Sequence, residues 1–300
     1  MDDVILRALA EDAPWGDLTS EAFVPKNAQA SVALVARESG VLSGIEAFAR
    51  TFELASAERE QHLRISDGTH IEARAADGDR FASGDVLATI KGNARTVLRA
   101  ERVALNLVQR LSGIATLTAQ YVAAAEAGAT ATGAKAPRIV DTRKTTPGLR
   151  RLEKAAVRHG GGHNHRFSLS DAVMAKDNHL AVLAARGITI GEAIRAARAR
   201  LPHTATIEVE VDRLDQIAEV VAAGVETIML DNFTLADLHA GVALVAGRAL
   251  VEASGGITLD TVADVAATGV DLISVGALTH GVRSLDLGLD VGVFERPLST

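Results

Sequence analysis

Between Arg138 and Arg166 the chain sets eight basic residues (Arg138, Arg143, Lys144, Arg150, Arg151, Lys154, Arg158 and Arg166) against two acids, Asp141 and Glu153. His159, His163 and His165 share the window, and Lys176 follows shortly after. Arginine makes bidentate contacts with carboxylate or phosphate, and lysine supplies a point charge. Arg143, Lys144, Arg166 and Lys176 together therefore suit a ligand with several negative charges. A solvated basic face is the plain alternative for any such run. Position favours the pocket. Arg143, Lys144 and Lys176 leave short apolar runs directly, and Arg166 follows GGGHNH (160–165), whose glycines let a ligand approach the backbone.

The next two apolar runs carry acids instead: Glu208 and Glu210 in TIEVEV, and Asp231 in TIMLDN. Period two puts Glu208 and Glu210 on one strand face. Such carboxylates either pair with the basic residues as a structural ion pair or hold Mg²⁺ and sugar hydroxyls. The last two runs end in Ser254-Gly255-Gly256 and in Gly276-Ala277-Leu278-Thr279-His280, and glycine-bearing strand ends with free backbone N–H groups suit a phosphate. His163-x-His165 comes with no HExxH and no third ligand at fixed spacing, so zinc is not expected. His62, His70, His203 and His239 sit in polar surroundings and read as surface residues.

The elements that must position these residues follow from periodicity. After Ala136, six short apolar runs (RIVDTRK, AVMAKDN, TIEVEV, TIMLDN, ALVEASGG and LISVGALTH) alternate with amphipathic helical stretches. That pattern predicts a parallel sheet covered by helices, and six such units suggest a closed or nearly closed barrel, with its site at the strand C-terminal ends. From Ser31 to Ile90 the rhythm differs: Val32, Leu34 and Ala36 alternate with Ala33, Val35 and Arg37, and Asp77-Gly78-Asp79 and Ser83-Gly84-Asp85 punctuate the turns. A small antiparallel sheet with one or two helices, such as one over 44–57, is expected there. A lipoyl-like carrier sheet would share the spacing, but no lysine sits in a tight hairpin between apolar neighbours. A long helix over about 96–126, with Leu98, Val103, Leu107, Leu111, Ile114 and Leu117 recurring at three and four, links the two regions.

Composition sets the outer bounds. The 300 residues carry 31 Lys+Arg and 38 Asp+Glu, a net charge of −7, and 48% are hydrophobic. Disorder is excluded as the main state, and a general nucleic-acid binder is not expected. No cysteine is present, so disulfides and thiolate metal sites are ruled out. No apolar run approaches the ~20 residues a membrane span requires. The N-terminus MDDVILRALAEDAPWGD has no signal-peptide pattern, so a cytoplasmic protein is expected.

The stretches ERVALNLVQRLSGIATLT, DTRKTTPGLRRLEKAAVRHGGGHNHR, KDNHL, IEVEV, IMLDN, EASGGI and ISVGALTH resemble quinolinate phosphoribosyltransferase, and the likeness begins at EDAPWGDLTSE. A related molybdate-transport protein shares the architecture but changes the TTPG and NHR segments that stand here. FSLSD (167–171) and Met174-Ala175 are small departures that touch local packing. The resemblance implies an α/β fold of an N-terminal open-faced α/β sandwich plus an incomplete parallel α/β barrel. The expected division is 1–107, 108–280, and a tail over 281–300 returning to the N-terminal domain.

The implied reaction is decarboxylating phosphoribosyl transfer from PRPP to quinolinate, giving nicotinate mononucleotide, pyrophosphate and CO₂ in NAD biosynthesis. By the same resemblance, Arg143, His165, Arg166 and Lys176 hold the quinolinate carboxylates, with Thr142 of the same motif beside them. Arg102 of a partner subunit enters the site of a homodimer or hexamer. Lys144 and His280 lie near the pyrophosphate, while Ser254, Gly255, Gly256 and Gly276 hold the 5-phosphate. Glu210 and Asp231 bind ribose hydroxyls and Mg²⁺, through water, and with Lys144 form the catalytic set. Two other functions compete with this one: a barrel lyase or aldolase with Lys176 as a Schiff-base amine, and a non-catalytic anion-binding module.

Overall fold

The computed structural model describes residues 1–57 and 69–292, so His62 lies outside the described residues. In chain order the strands are β1 (Gln29–Ala36), β2 (Gly40–Val41), β3 (His70–Ala73), β4 (Arg80–Phe81), β5 (Val86–Asn93), β6 (Arg138–Val140), β7 (Val173–Ala175), β8 (Ile207–Val211), β9 (Thr227–Asp231), β10 (Leu250–Ser254), β11 (Leu272–Ser274) and β12 (Leu287–Val291). Contacts divide the chain into two units. One comprises Met1–Leu117, Thr145–Gly161 and the chain from Gly281 on; the other comprises Thr118–Lys144 and Gly162–His280.

The first unit is built on a four-stranded antiparallel sheet in the order β12-β1-β5-β3, with β2 and β4 as a separate pair. Period two in β1 sorts its residues as expected. Val32, Leu34 and Ala36 join the large core with Phe48, Phe52, Leu87 and Ile90, while Ala33 and Val35 form a smaller cluster with Val86 on the opposite face. Both faces of β1 are therefore buried, not one. The helix Ile45–Ala57 presses Phe48 and Phe52 into the core, their rings edge to face with centroids 5.1 Å apart. The two Gly-Asp turns share one design: Asp79 accepts from the Ala76 N–H and Asp85 from the Ala82 N–H, while Gly78 and Gly84 supply positive φ.

The long helix runs Ala94–Thr132, past both ends of the expected 96–126. Val103, Leu107, Leu111 and Ile114 are buried, but Leu98 is 44% exposed, off the core-facing stripe. The contact boundary crosses this helix at 117/118, not at 107/108, and 145–161 joins the first unit although it was assigned to the barrel. The physical reason is a buried ion pair: Glu153, fully buried, accepts from Arg110 Nε of the long helix at 2.7 Å and from the Thr146 N–H at 3.0 Å. Arg150, Arg151, Lys154 and Arg158 all lie on the helix Arg150–His159 of this unit. β12, from the tail, pairs with β1.

The second unit is a six-stranded parallel sheet in the order β6-β11-β10-β9-β8-β7. Its strands are the six apolar runs. β6 and β7 do not pair, so the barrel is incomplete, and the free edge of β6 instead takes a parallel bridge to His163. Ile207, Val209 and Val211 on β8 alternate with Glu208 and Glu210, and Val251 and Ala253 on β10 with Glu252 and Ser254. One face of these strands is thus apolar and the other carries acid side chains, where most such barrels place branched aliphatics inside.

Close approach fixes two glycines of the long helix. A Cβ at Gly113 would stand 2.2 Å from the Arg283 carbonyl oxygen, and one at Gly128 would stand 2.1 Å from that of Ala263. Gly113→Ala and Gly128→Ala should each lower stability by about 1–3 kcal/mol, read as a drop in denaturation midpoint.

Candidate active site

The site is assembled at the C-terminal ends of the second unit's strands. Asp141 directly follows β6 and is fully buried. Its carboxylate accepts from the His165 N–H at 2.9 Å and from Asn164 Nδ2 at 2.6 Å. Backbone bonds complete the attachment: the His163 N–H donates to the Ile139 carbonyl, and the Asp141 N–H to the His163 carbonyl. The HNHR segment is thereby tied along β6 by an isolated bridge at His163, which delivers His165 and Arg166 to the same place as Thr142, Arg143 and Lys144.

These five residues line a cavity of about 300 Å³ together with Met174, Lys176, Met229, Glu252 and Ser274. Burial first, and the neighbouring Arg143 guanidinium second, pull Arg166 below the usual guanidinium value. Like charges held side by side in a cavity are the mark of a site shaped for an anion. Lys176 forms an ion pair with Glu210. Lys144 and His280 both close on Gly276, where a Cβ would stand 3.2 Å from Lys144 Cδ and 3.1 Å from His280 Nε2. Thr279 Oγ1 donates to the Lys144 carbonyl at 2.7 Å and fixes that corner.

Glu210 and Asp231 line a neighbouring opening of about 780 Å³. Ser254 is in register with Asp231, the last residue of β9. The following Gly255 has φ +96° and packs so tightly on Asn232 that a Cβ would come 2.2 Å from its Oδ1. A glycine is required there. Arg102, by contrast, is an exposed residue of the long helix in the first unit, and His70, His203 and His239 are exposed as expected.

Sequence reasoning missed two acids. Asp141 was counted only as a charge, and Glu252 was passed over inside an apolar run. Glu252 is 2% exposed, and its Oε2 lies 3.6 Å from His165 Nε2, which also lies 3.1 Å from Glu208 Oε2. Alternation back from Ser254 was the available signal for Glu252, since it puts both on one face. The three ligand-type atoms of His165, Glu208 and Glu252 fall within 4.8 Å of one another. The Arg166 N–H donates to His165 Nδ1 at 2.6 Å, so the ring proton sits on Nε2, facing the carboxylates. Burial first, then the Glu208 carboxylate, push Glu252 up to about 8, with His165 opposing. His165 therefore lines the cavity with both ring nitrogens turned to protein partners.

The ion pair also bears on the Schiff-base alternative. Lys176 Nζ is engaged by the Glu210 carboxylate, whereas a Schiff-base lysine needs its nitrogen free to attack a carbonyl.

Two outcomes follow. Asp141→Ala leaves the His165 N–H and Asn164 amide without their carboxylate and should cost about 2 kcal/mol, measured by denaturant unfolding. Glu252 is raised in the folded state from its ordinary 4.5, so its contribution to stability is complete below about 4.5 and is lost as pH rises toward about 8. Thermal melts across that window should fall for the wild type more steeply than for Glu252→Gln.

With this geometry in place, comparison with known proteins is direct. The model of the quinolinate phosphoribosyl transferase N-terminal domain matches residues 17–112, and that of its C-terminal domain matches 114–290. A relative from Mycobacterium leprae, named nicotinate-nucleotide pyrophosphorylase (carboxylating), is 43% identical over 293 residues, 96% of each chain. One from Bacillus subtilis, named as a probable enzyme of that kind, is 41% identical over 94% of this chain and 90% of its own. Among solved structures, NadC from Streptococcus pyogenes superposes with a TM-score of 0.85 at 43% identity over 97% of both chains. With two family models spanning nearly its whole length and full-length relatives above 40% identity, the chain belongs to the quinolinate phosphoribosyltransferase family.

Proposed function

We infer that this chain transfers phosphoribosyl from PRPP to quinolinate with loss of pyrophosphate and CO₂, giving nicotinate mononucleotide for NAD biosynthesis. The observation that carries the reading is the convergence of Arg143, Lys144, Arg166 and Lys176, from different strand ends, on one cavity. Quinolinate is a dianion and PRPP carries several more charges, so a cavity with this cation set matches both. Arg143, His165, Arg166 and Lys176, with Thr142, hold the quinolinate carboxylates, and His165 also accepts the Arg166 backbone N–H. Lys144 and His280 meet the pyrophosphate. Ser254, Gly255, Gly256 and Gly276 take the 5-phosphate.

The pyridine nitrogen attacks C1 of the ribose as pyrophosphate departs. Positive charge develops at C1, and Glu210 and Asp231 stabilise it while binding the ribose hydroxyls. No covalent enzyme intermediate is needed; positioning and preorganised charge do the catalysis. Glu210 and Asp231 offer only carboxylate oxygens to a shared opening, a donor set that suits Mg²⁺ and its bound water. Magnesium, arriving with PRPP, neutralises phosphate charge when bound.

Arg102 serves the site of a partner subunit in a homodimer or a hexamer. Its exposure supports that role. So do Trp15, Leu18 and Phe23, which are 93%, 80% and 84% exposed and call for burial in an assembly. Among the described residues no helix is long and apolar enough to cross a membrane, and together with the lack of cysteine this supports a cytoplasmic enzyme.

Purified protein with PRPP, Mg²⁺ and quinolinate should release pyrophosphate and CO₂ in equal amounts, and turnover of nicotinate alone would reverse the substrate assignment. Arg143→Ala and Arg166→Ala should each lower kcat/KM by about 100-fold or more with the fold retained by circular dichroism. Mixing Arg102→Ala with Arg143→Ala subunits should restore roughly a quarter of wild-type activity by random pairing, because one of the two mixed sites is then intact. No restoration would place Arg102 outside its partner's site.

A further inference from the structure

We propose that Glu252 is the acid that hands a proton to C2 of the pyridine ring as the neighbouring carboxylate leaves as CO₂. The inference rests on the quinolinate reading and assigns a step which that reading leaves without a residue. Once the ring nitrogen is ribosylated, the bond from C2 to its carboxylate breaks and the electron pair stays on C2, beside the cationic nitrogen. CO₂ departs without taking a proton, so C2 must gain one. Glu252 supplies it: its O–H bond breaks, a C2–H bond forms, and the residual carboxylate regains a proton from water after product leaves.

Geometry singles this residue out among the cavity's titratable groups. Arg143 and Arg166 stand side by side as the cavity's guanidinium pair, a role in binding an anion and not in giving up a proton. Lys176 is tied to Glu210, and Lys144 is exposed at the corner shared with Gly276 and His280. His165 uses Nδ1 to accept from the Arg166 N–H and turns its Nε2 proton toward Glu208. Glu252 lines the same cavity, is 2% exposed, and has an oxygen, Oε1, with no hydrogen-bond partner among the described residues. The groups facing it are His165 from the segment beside β6, Glu208 from β8, Met229 from β9 and Ser274 from β11. Burial and the Glu208 carboxylate outweigh His165 and Ser274 and keep it protonated at neutral pH. A neutral acid on the floor of a cation cavity leaves quinolinate binding unopposed and remains available as a donor.

The test is a rapid-quench single turnover with PRPP, Mg²⁺ and quinolinate carrying ¹⁴C in its C2 carboxylate. Wild type should release pyrophosphate and ¹⁴CO₂ together; no pyrophosphate from wild type would overturn the transfer reading itself, and this step with it. Glu252→Gln should release pyrophosphate within about threefold of wild type while ¹⁴CO₂ slows by about 100-fold, so that a ribosylated pyridine retaining both carboxylates accumulates. ¹⁴CO₂ keeping pace with pyrophosphate in that variant, or both slowing equally, would overturn the proposal. Glu252→Asp keeps an acid in place and should restore coupled release; uncoupling like that of the Gln variant would count against it. The wild-type ¹⁴CO₂ step should also decline above about pH 8. Persistence of that decline in Glu252→Gln would assign it to another group.

Discussion

Asp141 sits at the end of β6 with no exposure to solvent, and its two oxygens are committed to the His165 N–H and the Asn164 amide. A buried carboxylate is costly unless hydrogen-bonded, so this arrangement has one satisfactory geometry and resists change. Through it, a glycine-rich segment with little structure of its own is pinned along the open edge of a parallel sheet. Arg166 then stands beside Arg143, and His165 points its Nε2 proton at Glu208 and Glu252. The segment that brings His165 and Arg166 to the cavity is thus anchored by a buried anion outside the cavity's lining.

The barrel interior shows a second consequence of placing charge where aliphatic packing is usual. Glu208, Glu210 and Glu252 are each at most 8% exposed, and each is handled differently. Glu210 is matched by the Lys176 ammonium and Glu208 faces the His165 ring, while Glu252, with the least access to water, keeps its proton. Three chemically identical side chains acquire three sets of partners from position alone; at Glu252 burial and the like charge of Glu208 act together and outweigh the opposing His165. Glu210 also lines the neighbouring opening, whereas Glu252 is enclosed with the Glu208 carboxylate beside it.

Much of this was legible in the sequence, for identifiable reasons. Strand runs separated by helices announced the parallel sheet, since near-continuous Ile, Val and Leu over short spans have few other uses. Alternation in β1 sorted Val32, Leu34 and Ala36 from Ala33 and Val35 correctly, although it gave no hint that both faces would be covered. Strand-end placement picked out Arg143, Lys144, Arg166 and Lys176. The same reading expected one concentrated field over 138–166, and there it went too far. Arg150, Arg151, Lys154 and Arg158 belong to the first unit because Glu153 bonds Arg110, a partner far away along the chain. Pairings of that kind leave no periodic trace. Glu252 was obscured differently, as one acid among apolar neighbours, its importance set by two residues on other elements.

The pairing of β12 with β1 has a further implication for how the molecule is made. β1 emerges early from the ribosome, but the strand that covers its outer edge consists of residues 287–291. For most of translation, nascent β1 therefore presents a bare row of backbone donors and acceptors flanked by Val32, Leu34 and other apolar side chains, the arrangement most prone to pair with a neighbouring polypeptide. Maturation of the first unit cannot finish before the barrel strands have been synthesised, so the order of events in biogenesis is written into the topology.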